Sequence, residues 1–101
     1  MNLLESILYV EGKDYEIYHS TLTSAMSAAR KYAEDKGYTV DDDEWFRKVN
    51  SGPRKPVEGE TNDYHIELLK DGKEQKKQLH VQVYGRGDRG NNSYELNCYV
   101  S

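Results

Sequence analysis

The sequence predicts an α+β domain: one main helix packed on an antiparallel sheet that ends in a three-stranded meander, with a possible N-terminal hairpin. Three observations predict it. Between Thr21 and Lys36, apolar residues recur at three- and four-residue steps, the signature of an amphipathic helix. Three later segments, 63–70, 76–84 and 93–101, alternate apolar and polar residues instead, as half-buried strands do. Asp71-Gly72 separates the first two of these segments, and that dipeptide favours a tight hairpin turn.

The 101 residues suit one domain spanning 1–101. The hydrophobic fraction of 36% is below the ~45–50% apolar usage of average domains, a figure that also counts glycine. Nine Tyr, one Trp and one Phe, together with the clean periodicity, argue against a disordered chain. The core is therefore expected to be thin.

Taken in order, the N-terminus is the least determined stretch. Ser6–Val10 and Tyr15–His19 flank Glu11-Gly12-Lys13-Asp14 as a hairpin would, while Leu3, Leu4, Ile7 and Leu8 also fit a helical turn. In the main helix, Leu22, Ala25, Met26, Ala29 and Ala33 form the apolar stripe. Its small Ala residues allow close approach to a sheet. Ser20 can cap its start; Gly37 suits the left-handed residue that ends it, with Tyr38 folding back onto Ala33. Tyr38–Val40 reads as a short strand. Asp43 can cap a second helix, Glu44 to Val49, that carries Trp45 and Phe46. Residues 51–61, with Pro53, Pro56, Gly52 and Gly59, form a loop.

In the meander, Tyr64, Ile66 and Leu68 face inward, as do Leu79, Val81, Val83, Leu96, Cys98 and Val100. A two-residue hairpin loop would pair Ile66 with Lys77 and Leu68 with Gln75. A four-residue loop, Asp71 to Glu74, pairs Tyr64 with Val81 and Ile66 with Leu79. Both keep the faces consistent, and the longer loop is preferred because it matches apolar with apolar. Residues 85–92 form a mobile glycine-rich loop. The core then joins Leu22, Met26, Ala29 and Ala33 to the inward strand residues, with Trp45 or Phe46 closing one end.

Formal net charge is -4, which disfavours a general nucleic-acid binder. Residues 1–50 hold ten acids and six bases, and residues 51–101 hold eight of each. A single cysteine forms neither an internal disulfide nor a cysteine-based zinc site. The first residues lack the pattern of a secretory signal, and no apolar run could span a bilayer. The expected compartment is a reducing cytoplasm, with no membrane partner.

Most local motifs of catalysis or ligand binding are missing. His65 and His80 fall opposite each other on the outward face, with Glu67 two residues along, a set that could hold a divalent metal. The plainer reading, polar residues at solvent-facing positions, outweighs it because no HxxxH spacing accompanies them. Asp41-Asp42-Asp43-Glu44 lacks the calcium-loop spacing and is better explained by helix capping. Arg54, Lys55, Arg86 and Arg89 could touch phosphates as a weak nucleic-acid contact, but the glycine loop lacks a P-loop Lys-Ser/Thr. The tripeptide Arg86-Gly87-Asp88 is taken as chance. Inward Cys98 acts as a small hydrophobe. No nucleophile elbow, dinucleotide fingerprint or HExxH is present. No cofactor, metal or enzyme activity is expected, although dispersed catalytic residues would leave no motif.

What remains is surface. Leu69, Tyr84 and Tyr99 join His65 and His80 on the outward face, and Tyr suits recognition. Either a protein partner, which could be a second copy, or the N-terminal segment of the same chain would cover it.

The stretches 29–38 (Ala-Arg-Lys-Tyr-Ala-Glu-Asp-Lys-Gly-Tyr), Asp43-Glu44-Trp45-Phe46, Ser51-Gly52-Pro53-Arg54-Lys55-Pro56, Gln82-Val83-Tyr84-Gly85 and 94–100 (Tyr-Glu-Leu-Asn-Cys-Tyr-Val) give the chain a further context. As a set it resembles small uncharacterised proteins of tailed bacteriophages, marine ones especially. The resemblance runs from about residue 29 to the C-terminus. It implies a viral origin and either a virion component or an accessory protein in the infected bacterium. No functional residue carries over from it.

Overall fold

The structure is a computed structural model that describes residues 14–101. It is α+β, with two helices over a four-stranded antiparallel sheet. The elements are β1 (Tyr18–His19), α1 (Leu22–Asp35), α2 (Asp42–Asn50), β2 (Thr61–Lys70), β3 (Lys73–Gly85) and β4 (Tyr94–Val100). The sheet order is β1-β4-β3-β2. Ser6–Val10, the first arm of the expected hairpin, lies outside the described residues. Among the described residues, no helix is long and apolar enough to cross a membrane.

Local chemistry explains most boundaries of α1. Its cap is Thr21 rather than Ser20: the Thr21 hydroxyl accepts from the Ser24 N–H at 3.0 Å. At the other end, the Tyr38 N–H reaches the Ala33 carbonyl and the Gly37 N–H reaches Glu34. With Gly37 at φ 93°, this is the expected Schellman ending. Leu22, Ala25, Met26, Ala29 and Ala33 are all buried, so the stripe packs as its spacing predicts, against β3 and β4.

The second helix starts two residues earlier than expected. Asp41, not Asp43, is the cap, and its carboxylate accepts from the Glu44 N–H at 2.9 Å. Any of three consecutive aspartates can cap, and tertiary contacts select the frame. Arg30 on α1 pairs with Asp42 and lies 5.3 Å from the Trp45 ring centre. Trp45 packs on the core, whereas Phe46 is 60% exposed, so Trp45 alone closes that end. The strand expected at Tyr38–Val40 shrinks to a single bridge between Thr39 and Leu69.

The meander holds, with one correction at its first turn. The loop is the two-residue Asp71-Gly72, both residues at positive φ, closing on Lys70 and Lys73. Yet Tyr64 still faces Val81, and Ile66 still faces Leu79. An irregularity between Glu67 and Leu69 absorbs the difference. Turn chemistry sets the register on one side of it and apolar matching sets it on the other. The shift is two residues, so no side chain changes face.

Ile66, Leu68, Leu79, Val81 and Val83 are wholly buried, with Tyr64, Leu96 and Cys98 nearly so. Val100 is only half-buried at the margin of this core. Within the glycine-rich connection, Gly90–Asn92 forms a short 3-10 turn, and the Arg86 N–H bonds the Ser93 carbonyl.

The β2 edge, and the flank of β4 alongside the two-residue β1, are engaged by groups distant in sequence. Along β2, the buried Glu44 carboxylate accepts from the Glu67 N–H at 3.1 Å, and Lys48 donates to the His65 carbonyl. Thr39 exchanges two backbone bonds with Leu69. Along β4, the Leu96 N–H bonds the Ile17 carbonyl and the Cys98 N–H bonds the Tyr15 hydroxyl. Edge donors and acceptors left open would invite further strands.

Candidate functional site on the outer sheet face

Period two sends one set of side chains to the core and the other set outward. The strand register orders the outward set into rows. Tyr18, Glu95, Tyr84 and Thr61 form the first, and Asn97, Gln82 and Asp63 the second. Tyr99, His80 and His65 form the third, and Gln78 with Glu67 the fourth.

The third row is a ring stack across three strands. His80 lies parallel to Tyr99, with centroids 4.8 Å apart and planes 9° from parallel. His65 meets His80 edge-on, also at 4.8 Å. In the second row, Asn97 donates to the Gln82 side chain at 3.0 Å, placing an amide strip between two aromatic rows. In the first, Tyr18 and Tyr84 flank Glu95, and the Arg86 guanidinium lies 4.9 Å from the Tyr18 ring centre. Tyr18, Tyr84 and Tyr99 are each more than 40% exposed. No described helix lies over these rows, because α1 and Trp45 of α2 pack on the core.

Within the rows the charged side chains are acidic, while Lys48 stands at the β2 edge beside His65 and Glu67. The four rows contain Asp63, Glu67 and Glu95 but no Lys or Arg, and Arg86 stands at one end. The charges of Glu44 and then Glu74 push the Glu67 carboxyl above its ordinary pKa. The face therefore suits a cationic visitor better than an anionic one.

Of the five residues expected to bind a partner, His65, His80 and Tyr99 are in ring contact and Tyr84 shares their face. Leu69 stands apart, half-buried beyond the register irregularity, where it pairs with Glu74 and bridges Thr39. The four basic residues weighed for nucleic acid divide between two hollows. Arg54 and Lys55 line one of about 300 Å³ with Leu22 and Val49. Arg86 and Arg89 line another of about 320 Å³ with Tyr84 and Glu58. There Glu58 stands 3.9 Å from Arg89 and offsets part of its charge.

A third hollow, of about 360 Å³, lies between β1 and α1. Asp14, Tyr15, Glu16, His19, Ser24, Lys31 and Tyr32 are among its lining residues. His19 is buried there; its Nε2 is 2.8 Å from the Glu16 carbonyl and its Nδ1 is 2.7 Å from the Ser24 hydroxyl. A carbonyl only accepts, so Nε2 carries a proton. In the neutral ring, Nδ1 then accepts from Ser24. The pair fastens the end of β1 to the first turn of α1. The only sequence signal was a histidine just before a helix start. Burial pushes the Tyr15 phenol up to about 12, and burial also raises Tyr64.

No protein-family model, curated protein or solved structure matches this chain.

Proposed function

We propose that this protein is a binding module without catalysis, and that its outer sheet face takes a protein partner rich in basic side chains. The supporting observation is the layout of Tyr18, Tyr84, Tyr99, His80 and His65 on a face that the core does not need. Tyrosine gives wide contact at low entropic cost, and Asp63, Glu67 and Glu95 complement Arg or Lys on the partner. We propose that such binding acts on the virion or in the infected bacterium, as the bacteriophage resemblance implies.

The test combines identity and site. Mass spectrometry of purified virions, together with pull-downs from infected cells, would supply the partner. Tyr84→Ala and Tyr99→Ala should each weaken that complex by about tenfold or more, as central aromatic contacts do, while leaving thermal unfolding unchanged. Unchanged affinity in both variants would move the site elsewhere. A strictly monomeric protein with an empty pull-down would count against the module. Retention of nucleic acid that falls steeply with salt would replace this reading with a phosphate contact through Arg54, Lys55, Arg86 and Arg89.

A further inference from the structure

The strand geometry brings two imidazoles closer than opposition alone requires. The His65 carbonyl and the Glu67 N–H both point away from β3, to Lys48 and Glu44. The backbone of His65 therefore faces the sheet edge. The Gln78 N–H and carbonyl bond Ser101, so Gln78 and, two residues on, His80 face β4. His65 and His80 thus form a non-hydrogen-bonded pair across β2 and β3. In such pairs the side chains approach most closely. The rings stand 4.8 Å apart at 64°.

Among the described residues, neither imidazole makes a hydrogen bond; the bond at His65 uses its backbone carbonyl. His65 is exposed and His80 half-buried, so nitrogen lone pairs on both can be presented to solvent. Tyr99 stacked on His80 restrains one ring plane. By contrast, His19 is buried with both nitrogens engaged.

We propose that His65 and His80 together bind one divalent transition-metal ion, with water completing its coordination. Among the described residues, no three His, Cys, Asp or Glu side chains gather to hold a metal, so this site is two-ligand, open and exchangeable. Imidazole ligands exclude Mg²⁺ and Ca²⁺, which prefer oxygen. With no cage to impose geometry, affinity should follow the intrinsic order, Cu²⁺ above Ni²⁺ and Zn²⁺. The inference is independent of the partner reading and would survive its failure.

The experiment is calorimetric titration of the full chain with CuCl₂, NiCl₂, ZnCl₂ and MgCl₂, repeated on His65→Ala, His80→Ala and the double variant. The expected result is one histidine-dependent Cu²⁺ site, weakened by about tenfold or more in either single variant and lost in the double. Mg²⁺ should give no heat. Paramagnetic Cu²⁺ should broaden the imidazole resonances of His65 and His80 and spare His19. Both substituted positions are on the outward face, and a circular-dichroism spectrum checks that each variant is folded. Equal Cu²⁺ affinity in wild type and the double variant, or broadening that misses both rings, would overturn the proposal.

Discussion

The two faces of this sheet are built from the same strands and differ by one residue of offset. On β3, Leu79, Val81 and Val83 are wholly buried, while the alternating His80, Gln82 and Tyr84 are half-buried or exposed. The inner face is aliphatic apart from Tyr64 and Cys98, and it is pressed against the Ala stripe of α1. The outer face holds rings, amides and acids in rows. Burying an aliphatic side chain contributes about 1.5–3 kcal/mol, so the inner face carries the fold. Residues between can be chosen for what they contact instead. A thin core in a chain that is 36% hydrophobic follows from spending apolar residues on one face only.

The sharpest way to break this contrast is to put a charge on the inner face. Val81→Asp should abolish cooperative thermal unfolding, because an unpaired buried carboxylate is not tolerated; melting within a degree or two of wild type would refute the assignment. Gly85→Ala should come next. A Cβ there would meet the Val57 and Pro56 carbonyl oxygens, which are backbone and yield only if the loop moves. The expected cost by denaturant unfolding is about 1–3 kcal/mol. Glu44→Gln tests the closed edge. It weakens a charged hydrogen bond to the Glu67 N–H and the Lys48 pair at 3.4 Å, and should cost about 1 kcal/mol.

A smaller effect appears in alkali. The neutral Tyr15 phenol is favoured in the fold, with its pKa raised to about 12 from 10.0. Its contribution is full below the unfolded value and fades as pH climbs from about 10 to about 12. Stability should fall through that window, and Tyr15→Phe should flatten the fall. Ultraviolet tyrosinate titration alongside unfolding curves would check this; an identical slope in the variant would count against it.

Much of this architecture was legible because it is local. The Leu22–Ala33 stripe, the Gly37 stop and the alternation in 64–68, 79–83 and 94–100 each declare themselves within a few residues. The facing of His65 and His80 followed from matching apolar pairs. The Asp71-Gly72 turn misled only by obeying its own chemistry while the strands obeyed theirs. What stayed hidden depends on long-range partners. Asp41 is chosen among three aspartates by contacts with Arg30 and β2. The Tyr15 hydroxyl meets a backbone N–H 83 residues away. Leu69 looked like part of the outer rows until the irregularity set it apart.

Neighbouring substitutions on one strand test the division between faces most directly. Urea unfolding of Leu79→Ala and His80→Ala should separate cleanly: about 2–5 kcal/mol lost at the buried leucine and within about 0.5 kcal/mol of wild type at the histidine. Comparable losses at both positions would mean that the outer face is also core, contradicting the account.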